Sequence, residues 1–262
     1  MTSLPALLLL HGLGDDGACW GPFVDHLRHS EGLATLQVRA PDAPAHGGRI
    51  AAPGQSLAWP DLVADAVANA EDLVARSGRP IVCAGHSMGS IVALGVTATR
   101  PDLVAATFLE DPPLGSGPPP GVDPDPSAPI ELTEFREWFT ELQAMPLDQL
   151  VAQARAEHPT WDAAEYEPWA RAKQSVDLAA FADPVVFIHC AIAQLLREAQ
   201  PPVVVVAGDP GLGGTLSTTA GDELADQPGW TVHRLPTGHD VRRDDPQAAA
   251  DLLADLLRTV AT

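Results

Sequence analysis

The feature that most constrains the fold of this chain is the stretch GHSMG at residues 85–89. The apolar run PIVCA at 80–84 precedes it, and the helix-like run SIVALGVTAT at 90–99 follows it. This order predicts a buried strand that turns sharply into a helix and exposes the Ser87 hydroxyl at the edge of a sheet. Such a turn crowds the backbone, which explains why glycine stands on both sides of the serine.

Short apolar runs recur along the chain, and helical patterns separate most of them. Several of the runs are continuous rather than alternating, which is typical of central strands covered on both faces. They lie at 6–10, 34–38, 80–84, 103–109, 202–207 and 230–235. A last helix is predicted to begin at Pro246 with Asp245 as its N-cap. The alternation predicts a mostly parallel sheet with helices on both faces.

The segment from 113 to 200 interrupts this alternation. A proline-rich stretch at 112–129 is incompatible with regular structure, and helical patterns without a convincing strand follow it. These patterns lie at 130–145, 147–158, 167–174 and 184–199. The sequence therefore predicts a single domain over 1–262 with a helical cap inserted at 113–200.

Composition narrows the choice of partners and compartment. The formal net charge of −20 repels nucleic acid and anionic membranes, and we expect neither as a partner. No apolar stretch reaches the roughly 18 residues of a membrane span. The three cysteines are far apart and form no CxxC pair, which favours a reducing, cytoplasmic location and no metal site. The N-terminus lacks the basic region and the cleavage site of a signal peptide.

A serine hydroxyl becomes a good nucleophile only when a neighbouring base takes its proton. His239 is the favoured base, because it lies between the last predicted strand and the last helix, where the loops at the carboxyl edge of a parallel sheet form sites. The reaction also needs donors for a developing oxyanion. The backbone N–H groups of Leu13, just after the first strand, and of Met88 are the candidates.

Taken together, these segments resemble the α/β-hydrolase family. The resemblance is carried by HGLGDDGACW at 11–20, GHSMG at 85–89, TGHD at 237–240 and the helical cap. Many members have two further strands before the HG pair, whereas only ten residues precede it here. The resemblance implies an α/β-hydrolase fold and a triad of serine, acid and histidine that works without cofactor or metal.

The triad acid is the least determined residue. The family usually places it after the strand that follows the cap, and there Asp209 comes earlier than the usual slot. A smaller branch places it after the strand that precedes the cap, where Glu110 occupies the matching slot with Asp111 beside it. We favour Glu110, because its longer side chain spans more distance and Pro210 restricts the backbone of Asp209. Asp209 is the competing acid and Asp111 the third candidate.

The resemblance implies a serine esterase or lactonase that acts on a small apolar substrate. Carbon–carbon bond hydrolysis, haloperoxidase-like chemistry and non-catalytic ligand binding remain alternatives, since all occur on this fold. Several aromatic residues are expected to line an apolar pocket, and no protein partner is indicated. The expected pocket residues are Trp20, Trp138, Phe139 and Trp161.

Overall fold

The computed structural model describes residues 4–50, 57–114, 133–181 and 202–261, together with Leu195, Glu198 and Ala199. These residues form a parallel sheet with helices on both of its faces, as the sequence predicts. Among them, no helix combines the length and the apolarity that crossing a membrane requires.

The sheet has six strands in the order β2-β1-β3-β4-β5-β6, and every neighbouring pair is parallel. The strands are β1 (Leu7–Leu10), β2 (Val38–Arg39), β3 (Ile81–His86), β4 (Val104–Glu110), β5 (Val203–Ala207) and β6 (Trp230–Arg234). Five of the six apolar runs coincide closely with strands. The run at 34–38 does not, because only its last residue is extended and the buried Leu36 packs in a turn before β2.

Helices connect the strands and cover the sheet. Those in the sheet domain are α1 (Gly21–Arg28), α2 (Trp59–Ser77), α3 (Met88–Thr99), α7 (Thr218–Ala225), α8 (Val241–Asp244) and α9 (Pro246–Thr259). The predicted start of the last helix is confirmed, since the Asp245 carboxylate accepts a hydrogen bond from the Ala248 N–H at 3.0 Å.

Three further helices lie in the described residues between β4 and β5, where the sequence predicts the cap. They are α4 (Thr133–Ala144), α5 (Leu147–Glu157) and α6 (Ala163–Gln174), and a short 3-10 helix, Leu178–Phe181, follows them. The proline-rich residues 115–132 and most of the helical pattern at 184–199 lie outside the described residues. The bounds of the cap at 113 and 200 therefore remain a prediction.

Continuous apolarity in the strands follows from burial on both faces. Leu8 and Leu10 face a core shared with α2 and α3, whereas Leu7 and Leu9 face a second core shared with α1 and α9. The strands β1, β3, β4 and β5 contribute to both cores, so a polar residue on either face of them would be desolvated, whereas the edge strands β2 and β6 each contribute to one core.

The strand register brings the functional loops together. Leu10 at the end of β1 pairs with Gly85 in β3, and His86 at the end of β3 pairs with Glu110 at the end of β4. Three strands therefore end at the same level of the sheet. The loops that follow them converge at its carboxyl edge, where open α/β sheets place their sites.

Candidate active site

Ser87 lies at the sharp turn between β3 and α3. Its φ angle is 51°, a left-handed conformation that costs a non-glycine residue roughly 1–3 kcal/mol. A Cβ on Gly85 would lie 2.1 Å from the backbone oxygen of Gly89, and a Cβ on Gly89 would lie 2.1 Å from that of Leu10. Both flanking positions therefore exclude a side chain, which accounts for the spacing of the GHSMG stretch.

Ser87 and His239 line one cavity of about 590 Å³ between the sheet edge and the helices that lie between β4 and β5. His239 lies in the loop between β6 and α8, and its side chain is 30% exposed. Leu13 and Met88 line the same cavity. Met88 is the first residue of α3, so its backbone N–H has no acceptor within the helix and lies at the positive end of the helix dipole. The structure thus gathers four predicted site residues at one place.

Asp111 is the carboxylate that contacts His239. Its Oδ2 atom lies 2.6 Å from Nδ1 of His239, and the Asp111 side chain is fully buried. The Thr215 N–H donates to Oδ2 at 2.7 Å and the Gly208 N–H donates to Oδ1 at 3.1 Å. These donors hold the carboxylate in place and in its charged form.

The pKa values of the two groups move in opposite directions. Burial works against a charged Asp111, but the hydrogen bonds from His239 and Thr215 outweigh burial and lower the pKa of this carboxyl. Burial also works against a charged imidazole, yet the bond to Asp111 and the charge of Asp240 raise the pKa of His239 above its ordinary 6.5. The pair therefore suits a base that must carry a proton transiently.

The expectation that Glu110 orients His239 is corrected. The Glu110 carboxylate accepts the backbone N–H of Arg242 at 2.8 Å and pairs with the Arg242 guanidinium at 3.2 Å. Successive side chains of a strand point to opposite faces, so Glu110 faces α8 while the next residue faces the other way. The positive φ of 38° at Asp111 then turns that side chain toward the loop after β5.

The competing acid, Asp209, also lies apart from His239. Its side chain is solvent-exposed and accepts the Gly211 N–H at 2.7 Å, which caps the short 3-10 helix Pro210–Leu212. A carboxylate with this role stabilises the loop, and it does not contact the imidazole.

One of the four predicted pocket aromatics lines the cavity. Trp138 does so and is 40% exposed, and Trp169, which was not among the four, also lines it. The other three expectations are wrong, because those side chains pack against other residues and do not line the cavity. Trp20 lies 4.2 Å beneath the Arg242 guanidinium, Phe139 is fully buried near Gly14, and Trp161 stacks on His158 and donates to Asp244.

His86 contributes to the site in a way that the sequence reasoning missed. Its Nε2–H donates to the backbone oxygen of His239 at 3.1 Å, and the two rings lie 4.6 Å apart. Burial, with help from the charges of Arg242 and His239, keeps the pKa of His86 well below 6.5. A neutral His86 therefore supports the backbone of the loop that carries His239.

A second missed feature is a group of buried charged side chains at the wall of the cavity, hereafter the ion cluster. Its centre is the Asp15 carboxylate, which forms salt bridges with Lys173 at 2.8 Å, Arg243 at 3.0 Å and Arg242 at 3.1 Å. The cluster comprises Asp15, Glu110, Glu165, Lys173, Arg242 and Arg243. The sequence VRRDD just after His239 is its only local signal. Mutual pairing makes these buried charges tolerable.

Within the described residues, one group has the composition of a metal site. Ligand atoms of Asp15, His86 and Asp240 lie within 4.8 Å of one another. Asp15 already receives three cationic side chains, and Arg243 also pairs with Asp240. A metal ion there would be repelled by the neighbouring cations, so these residues do not fit one.

A parallel sheet with a serine at a strained strand–helix turn, faced by a histidine–aspartate pair, defines the class of α/β hydrolases. The chain belongs to this class, since the model of the α/β hydrolase family matches residues 7–252. The fold expected from the sequence is thereby confirmed.

Relatives with known names cover parts of the chain. Lipase LipV of Mycobacterium tuberculosis is 31% identical over 163 residues, which are 62% of this chain and 52% of the lipase. The (E)-2-((N-methylformamido)methylene)succinate hydrolase of Acinetobacter baylyi is 34% identical over 98 residues, 37% of this chain and 34% of that enzyme. The matches thus span about half and a third of the relatives' lengths.

Solved structures match nearly the whole chain. The N-formylmaleamic acid deformylase of Pseudomonas putida superposes with a TM-score of 0.72 at 20% identity, covering 98% of this chain and 94% of that one. A thermophilic esterase from Thermogutta terrifontis gives a TM-score of 0.69 at 19% identity, covering 100% and 92%. At these identities the likeness concerns the fold.

Proposed function

We propose that this protein is a serine hydrolase that cleaves a carboxylic ester or lactone through an acyl-enzyme on Ser87. The observation that carries the proposal is the short contact between Asp111 and His239 beside the cavity that Ser87 lines. A strained serine has no packing benefit that offsets its backbone cost, whereas it has a clear use as a nucleophile.

The reaction follows from the roles of these groups. His239 takes the Ser87 proton as the serine oxygen attacks the carbonyl carbon, and Asp111 stabilises the imidazolium that forms. The N–H groups of Leu13 and Met88 bind the oxyanion. The C–O bond to the alcohol breaks, and the alcohol oxygen takes the proton from His239. A water molecule, deprotonated by His239, then releases the acid and restores Ser87.

The cavity supports an uncharged apolar substrate. Trp138, Trp169 and Phe135 give its wall large apolar surfaces. The cations Lys173 and Arg243 also line it, but both are engaged in the ion cluster, so neither is free to pair with a substrate carboxylate. We propose that the helices between β4 and β5 form a cap over this cavity, and that the enzyme acts in the cytoplasm without cofactor or protein partner.

The proposed activity is tested with a panel of compounds under one set of conditions. It contains aryl esters of increasing acyl length, lactones and β-diketones. We expect turnover of esters or lactones at rates at least about tenfold above those of the diketones, because an ester oxygen is a better leaving group than carbon. Turnover of diketones alone would favour carbon–carbon bond hydrolysis. Tight binding without turnover of any compound would favour a ligand receptor.

The pH dependence of kcat/KM reports on His239. Only neutral imidazole accepts the Ser87 proton, and the pKa of His239 is raised above 6.5. Activity is therefore expected to fall as pH decreases through a midpoint above 6.5. In Asp111→Asn the charge that raises this pKa is removed, so the midpoint of the residual activity should move to lower pH. A wild-type midpoint well below 6.5 would contradict the proposed pairing.

A further inference from the structure

The turn at 12–15 carries the Leu13 N–H that the proposed function assigns to the oxyanion. The Asp15 N–H donates to the Gly12 oxygen at 3.1 Å, and Gly14 has a φ of 76°. A positive φ at the third residue is the signature of a type II turn. The Leu13 N–H belongs to the first peptide group of this turn. Its direction therefore depends on the conformation of the turn, which the peptide groups on both sides of Gly14 help to fix.

Side chains hold both of these peptide groups. The Gly14 N–H donates to Nε2 of His46 at 3.0 Å, and His46 Nδ1–H donates to the Pro44 oxygen at 2.9 Å. Burial, with the nearby His11, lowers the pKa of His46 to about 3, so Nε2 stays an acceptor. On the other side, the Lys173 ammonium donates to the Gly14 oxygen at 3.0 Å.

The same ammonium also donates a hydrogen bond to the Asp15 carboxylate at 2.8 Å, so Lys173 contacts two successive residues of the turn. Its side chain is only 5% exposed, and the centroid of the Trp169 ring lies 5.0 Å from Nζ. Two of the three N–H groups of the Lys173 ammonium are thus engaged by the turn. Asp15 keeps two arginine partners without Lys173, whereas the lysine is the side chain that holds the Gly14 oxygen.

Lys173 belongs to α6, one of the helices between β4 and β5. Phe139 of α4 touches the same turn, since a Cβ on Gly14 would lie 2.4 Å from its ring. Two helices of the proposed cap thus contact the turn that carries the proposed oxyanion donor, the Leu13 N–H. We propose that Lys173 is a positioning residue, which keeps the Leu13 N–H aimed at the oxyanion and couples the placement of α6 to the rate of the chemical step.

The test is the variant Lys173→Met, which keeps a long apolar stem and removes the ammonium. Complete loss of one oxyanion donor lowers kcat by about 10²- to 10³-fold, and misalignment of the Leu13 N–H should lower it less. We expect a fall of about 10- to 100-fold in kcat for p-nitrophenyl acetate, counted per active site titrated with a fluorophosphonate, with KM within about threefold of wild type. The matched control is Arg171→Met on the same helix, whose exposed side chain pairs with Glu167. It should behave as wild type.

Three results would decide against the proposal. A kcat per site within about threefold of wild type would overturn it, and a rise in KM alone would make Lys173 a substrate contact. If the methionine variant does not fold, Lys173→Gln is measured instead. Its amide ends one bond short, so the same loss of kcat is expected. Failure of both variants to fold would assign Lys173 to stability.

The inference rests on the proposed function, and the two can fail separately. Ser87→Ala is assayed beside the lysine variants on the same ester. Retained activity in Ser87→Ala would remove the proposed function itself. An inactive Ser87→Ala beside a fully active Lys173→Met would remove only the role of Lys173.

Discussion

The kcat of the variant Ser87→Ala is expected to be lower than that of wild type by a factor of at least about 10³, because covalent catalysis is lost while the oxyanion donors remain. The fold should persist. Ser87 owes its position to the strand, the helix and the flanking glycines, and alanine removes a single oxygen atom. The measurement is kcat on the best ester of the panel, with circular dichroism to verify folding.

A matched control is Ser77→Ala. Ser77 ends α2, just before β3 begins, and therefore lies at the edge of the sheet opposite the cavity. Its kcat should equal that of wild type. If Ser87→Ala retained more than about a tenth of the wild-type kcat, Ser87 could not be the nucleophile.

The second large effect is expected for Asp111→Asn, which should lower kcat by about 10²–10⁴. The asparagine has nearly the same shape but lacks the charge that stabilises the His239 imidazolium. Its amide group also no longer dictates which nitrogen of the ring carries the proton. The measurement is kcat per folded enzyme at a pH on the plateau of the wild-type profile.

Two neighbouring carboxylates provide the comparison. Asp209→Asn should leave kcat almost unchanged, since that side chain is exposed and caps a loop. Glu110→Gln should lower the melting temperature, because it removes one of the two carboxylates that pair with the buried Arg242 guanidinium, and should affect kcat per folded enzyme far less. A larger loss of kcat in either variant than in Asp111→Asn would contradict the assignment of Asp111.

Local patterns were sufficient to predict the sheet and the serine turn. The strands β1, β3, β4 and β5 coincide with continuous apolar runs, because burial on both faces imposes that pattern on each strand separately, and β6 coincides with an apolar run at the edge of the sheet. The turn at Ser87 was predictable because its flanking glycines are required within five residues of chain. The position of His239 followed from the order of strands and helices.

The acid was not predictable, because the choice between Glu110 and Asp111 depends on a single residue of register. A shift by one residue reverses the face to which a strand side chain points. The left-handed backbone at Asp111 adds a turn that no pattern of apolar residues indicates.

The ion cluster escaped prediction for a different reason. Asp15 and Lys173 are separated by 158 positions, and nothing local in the sequence indicates that they pair. Trp20, Phe139 and Trp161 were misassigned to the pocket because an aromatic side chain that packs in a core and one that lines a cavity have the same sequence signature. The partners of Phe139 and Trp161 depend on how the helices between β4 and β5 rest on the sheet, and Trp20 packs against Arg242 of α8.

The central claim, a covalent acyl-enzyme on Ser87, is tested most directly by mass spectrometry of the protein after brief reaction with a fluorophosphonate, followed by peptide mapping. The account predicts one adduct per chain, located on Ser87, with loss of esterase activity in proportion to labelling. It also predicts no adduct in Ser87→Ala and much slower labelling in Asp111→Asn. An adduct on another residue, or inactivation while Ser87 stays unmodified, would contradict it.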